Sequence, residues 1–286
     1  MRKTAWATAV LGGLLLLAAA ACGVLILALG QYPARPPAGP MPARSKYRVA
    51  VLGDTQKGLT NFSNLLREVR KEEAALILHT GDLVSDNDEG HYRLPGLYLH
   101  RAGVQVPFFV APGNHDIKKS DERFIREFGA LERSFRVGDV AFVLLNNGMG
   151  APPDPARVES LILDLEPARA VVLAMHVPPF DVKGDPIPEY RPFLEWLEKS
   201  KVTYLFSGHV HTYLRKLVGK TIVIVNGVGG DYDSWQFDQK ACATMLDIDG
   251  AAIVDRRIEL APEHGVRENI EHFAIGHFAE AYRRKP

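Results

Sequence analysis

The chain has 286 residues, 47% hydrophobic and 24% charged, which excludes global disorder and allows one large core. Lys plus Arg and Asp plus Glu balance at 34 each, so no net field recruits nucleic acid, and no nucleic-acid partner is expected. Affinity for an anionic ligand has to come from a local site. Two cysteines, Cys22 and Cys242, are too few and too far apart for a disulfide framework.

The N-terminus stands apart from the rest. After Arg2 and Lys3, residues Ala5 to Gly30 carry no charge for 26 residues, enough for a helix to cross about 30 Å of hydrocarbon. A membrane anchor is the expectation for residues 1–30, with the following domain on the outer side, periplasmic or extracellular. The alternative is a cleaved secretory signal and a secreted protein, for which Ala28, Leu29 and Gly30 offer a cleavage point. A mature N-terminus near Gln31 would exclude the anchor. Residues 31–46, with five prolines in sixteen positions, read as an extended tether.

From Tyr47 onward, short apolar runs alternate with helical patterns, and the expected class is α/β. Strands are expected at Tyr47–Gly53, Ala74–His79, Val106–Ala111, Val140–Leu145, Ala170–Met175, Val202–Ser207 and Thr221–Gly227. Helical spacing links Phe62, Leu65, Leu66 and Val69, and recurs at Arg157–Leu165 and Tyr190–Lys199. In the tail, residues 261–286, the positions Ile270, Phe273, Phe278 and Tyr282 suggest a helix packed on the domain.

Five strand ends carry ligand-type residues. Asp54 and Gln56 follow the first run, Gly81-Asp82 the second, and Gly113-Asn114-His115-Asp116 the third; His176 and then Gly208-His209-Val210-His211 follow two later ones. In α/β sheets, ligands bind outside the carboxyl ends of the strands, so these side chains would converge. Carboxylates, imidazoles and an amide carbonyl make a mixed oxygen and nitrogen set suited to divalent metals. Each signal alone is ordinary turn chemistry. The ordered combination is what points to a site. His79 reads as a packed residue beside it, Ser85, Asp86 and Asp88 as a solvated loop or as supports to the ligands, and His91 and Tyr92 as surface positions.

The ordered set of motifs resembles the calcineurin-like metallophosphoesterase superfamily, over Tyr47 to about Leu260. The resemblance implies a β-sandwich of two mixed sheets flanked by helices, with its site at one edge. It implies two divalent cations, Mn²⁺, Fe²⁺ or Zn²⁺, one among Asp54, Gln56, Asp82 and His211 and the other among Asp82, Asn114, His176 and His209, with Asp82 bridging. It further implies a phosphodiesterase or phosphatase in which a bridging hydroxide attacks phosphorus in line. His115 would bind phosphate or protonate the leaving group, and Asp116 would orient and charge its imidazole.

Gln56 departs from the pattern, because the family's usual ligand there is His. An amide oxygen makes the first site harder and weakens its expected hold on transition metals. The second motif lacks the Arg that Ser/Thr protein phosphatases carry, and Ser85 stands where purple acid phosphatases place a tyrosine ligand, which argues against both subfamilies. The expected substrate is a phosphoester, either a small molecule or a lipid headgroup, with a membrane lipid or nucleotide-lipid pyrophosphatase as the alternative. A binding module without catalysis is the reading from another class.

Overall fold

A computed structural model describes residues 45–230 and 240–260, with a few single positions upstream. The apolar N-terminal run, most of the Pro-rich tether and the C-terminal tail lie outside the described residues. Among the described residues, no helix is long and apolar enough to cross a membrane.

The first strand, β1 (Lys46–Leu52), explains why the apolar runs are continuous rather than alternating. Tyr47, Val49 and Val51 enter one core while Ala50 and Leu52 enter another, so both faces of the strand are covered. Beside it run β2 (Leu76–His79) and β3 (Phe108–Val110), both parallel. On its other side lies β10 (Cys242–Asp249), antiparallel and followed by β11 (Ala252–Glu259). The resulting sheet has the order β11-β10-β1-β2-β3.

The second sheet contains β4 (Arg133–Val137), β5 (Val140–Leu144), β6 (Ala170–Ala174), β7 (Tyr204–Ser207), β8 (Tyr213–Val218) and β9 (Thr221–Asn226). Its order is β4-β5-β6-β7-β9-β8, with β5, β6, β7 and β9 parallel. The two sheets face each other across Val49, Val51, Leu78, Phe142, Val172, Phe206 and Ile224. Both sheets are mixed, as expected from the resemblance.

Helices cover the outer faces. On the first sheet lies α1 (Leu59–Lys71), whose Leu59, Phe62, Leu65, Leu66 and Val69 are buried at the spacing seen in the sequence. Next to it is α2 (Glu89–Arg101), which the sequence did not suggest because Gly90, Pro95 and Gly96 break its pattern. Its Asp88 cap, which accepts the His91 N–H at 3.1 Å, and the burial of Tyr92, Leu94, Tyr98 and Leu99 outweigh those breakers. Two short helices follow, α3 (Asn114–Ile117) and α4 (Glu122–Phe128). The second sheet is covered by α5 (Pro155–Leu163) and α6 (Arg191–Lys199), which bury Val158, Ile162, Phe193 and Leu197.

The parallel arrangement positions the site. Strands β1, β2 and β3 end at Leu52, His79 and Val110, and β5, β6 and β7 end at Leu144, Ala174 and Ser207. Because parallel neighbours run the same way, each set of ends shares one rim, and all five ligand-bearing loops leave from such ends.

Candidate metal centre

Three of the five loops turn sharply as they leave their strands. Asp54 (φ 55°), Gln56 (39°), Asp82 (55°), His209 (69°) and His211 (41°) all have left-handed backbone, and among the described residues only Glu73 joins them outside glycine. Such conformations cost about 1–3 kcal/mol each and persist only where the surroundings impose them. Here the loops impose them on one another. The Asp54 N–H donates to the Gly81 carbonyl at 3.0 Å, that of Gln56 to Asp82 at 3.1 Å, and that of Gly208 to His176 at 2.8 Å. A side chain at Gly208 would collide with the Asp54 carboxylate, and one at Gly113 with Asp82, so close approach demands glycine at both positions.

Asp82 lies at the centre, and its two oxygens face different neighbours. Gln56 Nε2 donates to Oδ2 at 2.9 Å and lies 3.4 Å from His211 Nε2, which is in turn 3.5 Å from Asp54 Oδ1. On the other side, Oδ1 is 3.5 Å from His176 Nε2, which lies 3.1 Å from both Asn114 Oδ1 and His209 Nδ1. The seven residues expected as ligands are thus together, in the two groups expected, with Asp82 between them. Gln56 presents its amide nitrogen to the carboxylate, and half a turn about the last bond of its side chain exchanges that nitrogen for oxygen.

The donor set fits divalent cations. His176 Nδ1 lies 2.9 Å from the Thr80 carbonyl, which can only accept, so the proton sits on Nδ1 and the lone pair of the neutral ring on Nε2. That lone pair meets the amide oxygen of Asn114, the carboxylate of Asp82 and the ring of His209, and ligand atoms of Asp82, His176 and His209 lie within 4.8 Å of one another. Such a convergence of acceptors calls for positive charge at its centre. The same surroundings act on the His176 ring. Burial alone would lower its pKa, yet the Asp82 carboxylate overcomes this, helped by Asp54 and the Thr80 carbonyl, and raises it to about 9. His209 is lowered to about 4 by burial and by His176.

The role expected for Asp116 changes. Its carboxylate accepts the backbone N–H groups of Asp82 (2.8 Å), Gly113 (2.9 Å) and Val84 (3.1 Å), and so fastens the Asp82 loop to the Asn114 loop. Burial first and Asp82 second push its pKa up to about 7, against the pull of the Gly113 and Val84 N–H groups. With both oxygens engaged, Asp116 does not orient His115. The His115 ring instead donates from Nδ1 to the Ser85 carbonyl at 2.8 Å, while its backbone N–H donates to Asp82 Oδ1 at 2.8 Å. Tyr92, expected at the surface, is buried, and its hydroxyl donates to the Asp116 carbonyl at 2.7 Å. Asp88 caps α2, and Asp86 pairs with Lys119.

Sequence reading missed the groups that act through backbone atoms, namely Thr80 and Ser85 through their carbonyls, and it missed Asn147 altogether. His79 is buried as expected, stacked on Phe108 with ring centroids 6.0 Å apart, and braces two ligand loops. Its Nδ1 accepts the Gly81 N–H at 3.3 Å, so Nε2–H is left to donate to Thr55 Oγ1 at 3.0 Å. Burial lowers its pKa to about 3, with His176 adding to the effect and Asp82 opposing it. The folded chain therefore refuses a proton that the unfolded chain accepts below about pH 6.5, and stability falls as pH falls through that value. Between pH 7 and 5 the parent should lose about 2 kcal/mol more than His79→Phe in urea unfolding of chelator-stripped protein. Parallel pH curves for the two would show that His79 is not held neutral.

The profile of the calcineurin-like phosphoesterase family matches residues 47–213. A protein of Pseudoalteromonas sp. (strain SM9913) named "Probable cyclic nucleotide phosphodiesterase" is 26% identical over 162 residues, covering 53% of this chain and 61% of that protein. The chain thus spans about three fifths of that relative's length. Among solved structures, a purple acid phosphatase from yellow lupin (Lupinus luteus) seeds matches with a TM-score of 0.58 at 16% identity, over 80% of this chain and 52% of that one, about half its length. A dimetal phosphatase from Danio rerio matches with a TM-score of 0.56 at 13% identity, over 75% of this chain and 99% of that one. At such identities the two structures speak for the fold alone. With more than half of its 286 residues matched by one profile, the chain belongs to the calcineurin-like phosphoesterase family.

Proposed function

We propose that this chain is a metal-dependent phosphodiester hydrolase, holding one divalent cation among Asp54, Gln56, Asp82 and His211 and another among Asp82, Asn114, His176 and His209. The reading rests on the gathering of oxygen- and nitrogen-bearing side chains on both sides of Asp82, with His176 Nε2 3.5 Å from Oδ1 and Gln56 at 2.9 Å from Oδ2. When bound, the cations would polarise the phosphoryl oxygens and make a hydroxide available near neutral pH. The relative named as a cyclic nucleotide phosphodiesterase supports a diester as substrate.

The residues of the chain do the positioning. Asn114 and His176, linked at 3.1 Å, present oxygen and nitrogen to the same point, while Asp116 fixes the loops that carry Asp82 and Asn114. His115 is the proton donor in this reading. Because Ser85 engages Nδ1, Nε2 is the nitrogen left to pass a proton to a departing alkoxide. The backbone contact between His115 and Asp82 keeps that ring beside the reacting phosphorus.

Metal-loaded protein should hydrolyse diesters faster than monoesters when both are screened, with pyrophosphodiesters in the same panel. His115→Ala should slow esters of alkyl alcohols by about 10²-fold or more, and p-nitrophenyl esters much less, since nitrophenolate leaves without a proton. Metal content should not change. Equal losses on both substrate types would remove His115 as the acid, and no hydrolysis at any metal concentration would favour a binding module.

Gln56 tunes the first site in this account. Gln56→His should lower the Mn²⁺ concentration needed for half-maximal activity, and Gln56→Ala should raise it, because imidazole holds transition metals better than an amide and a methyl group holds none. If Gln56→Ala titrates like the parent, the amide is not a ligand.

A further inference from the structure

Asn147 has no part in the ligand set, yet its side chain is almost completely buried, at 2% exposure, and three of its four hydrogen bonds go to the His176 loop. Its origin lies in how the sheet ends. Leu144 pairs with Ala174, and Leu145 N–H donates to the Ala174 carbonyl at 2.9 Å, after which β5 and β6 stop pairing. Past Met175, whose N–H still donates to the Phe206 carbonyl at 3.0 Å, His176 and Val177 are 0% and 8% exposed, so their amides need partners that the ladder no longer supplies.

Asn147 Oδ1 supplies both, accepting from His176 N–H at 2.8 Å and from Val177 N–H at 3.1 Å. Its Nδ2 donates to the Val177 carbonyl at 2.7 Å and to the Tyr190 hydroxyl at 3.0 Å. The orientation of this amide is unambiguous, because a flipped NH₂ would face two N–H donors. The Tyr190 hydroxyl donates onward to the Gly150 carbonyl at 3.3 Å, which closes the turn that carries Asn147. The same turn touches the Asn114 loop, since a Cβ on Gly148 would stand 2.6 Å from the Pro112 carbonyl oxygen. One side chain thereby continues the parallel ladder beyond its end and fixes where His176 begins.

We propose that Asn147 is a positioning residue for the second metal site, holding the His176 backbone so that Nε2 meets Asn114, His209 and Asp82. The proposal rests on His176 being a metal ligand. A buried partner of this kind acts on metal affinity through the ligand it orients, typically by 10- to 100-fold, about one to two powers of ten.

The test is a thermodynamic cycle on Mn²⁺ binding, followed by titration calorimetry on the full chain stripped with chelator. Asn147→Leu, which keeps the volume but removes the acceptor, should weaken the tighter of the two binding events by about 10- to 100-fold, and Tyr190→Phe by a smaller factor in the same direction. In a His176→Ala background, Asn147→Leu should change affinity by less than about twofold, because the group through which it acts is gone. Equal weakening in both backgrounds would mean a general loosening of the fold and would overturn the proposal, as would parent-like affinity in Asn147→Leu. If Asn147→Leu does not fold, Tyr190→Phe decides: weakened binding supports the proposal and unchanged binding overturns it. If His176→Ala itself binds Mn²⁺ like the parent, the ligand assignment fails, and that failure is distinct from one in which only Asn147 is without effect.

Discussion

The organising constraint of this molecule is a buried carboxylate with metal-ligand chemistry on both sides. Asp82, 1% exposed, has Oδ1 3.5 Å from His176 Nε2, with Asn114 and His209 beyond that ring, and Oδ2 accepting from Gln56 Nε2 at 2.9 Å, with His211 beyond that amide. Carboxylate and amide oxygens and ring nitrogens gathered in a dry site call for positive charge among them. The raised pKa of His176 expresses the same demand through a proton. A pair of divalent cations would satisfy it more fully, and the strained turns that assemble these side chains are tolerable because the loops support each other.

That support comes from the backbone of neighbouring loops more than from the ligands themselves. Asp116 joins the Asp82 and Asn114 loops through three amides, and the His209 N–H joins the Asp54 loop by reaching both oxygens of Asp54 at 2.9 and 3.0 Å. Asn147 joins the β5 and β6 ends. The Asp116 and Asn147 ties cross between parallel neighbours of one sheet, and the His209 tie joins β7 of the second sheet to β1 of the first. The three cores beneath, one between the sheets and one under each helical layer, hold the rims in place.

Much of this was legible in the sequence where burial leaves a composition signal. Runs such as Val140–Leu144 and Ala170–Ala174 are apolar throughout because both faces are covered, and they were recognisable as strands. The edge strands β8 and β11 were not, since Arg215, Lys216, Asp255 and Arg256 interrupt their pattern in the way edges require. The residues gathered around Asp82 were legible because a carboxylate or histidine after a strand is conspicuous and the order of motifs is specific. Asp116 was expected as the partner of His115 from the resemblance and from its place beside it, and the short helix α3 instead turns its carboxylate back onto the Asp82 loop. Asn147 left no trace because Asn146-Asn147-Gly148 reads as an ordinary turn, and its role follows from strand register, which no local pattern reveals.

The central claim is that Asp82 is shared by two cations, and the most direct measurement is metal stoichiometry. Elemental analysis of Mn²⁺-loaded protein after desalting should give two ions per chain, and Asp82→Ala should lose both, whereas His211→Ala and His176→Ala should each lose one. Retention of even one full equivalent in Asp82→Ala would contradict the account, since a cation that survives without Asp82 is not held by a carboxylate common to the two groups.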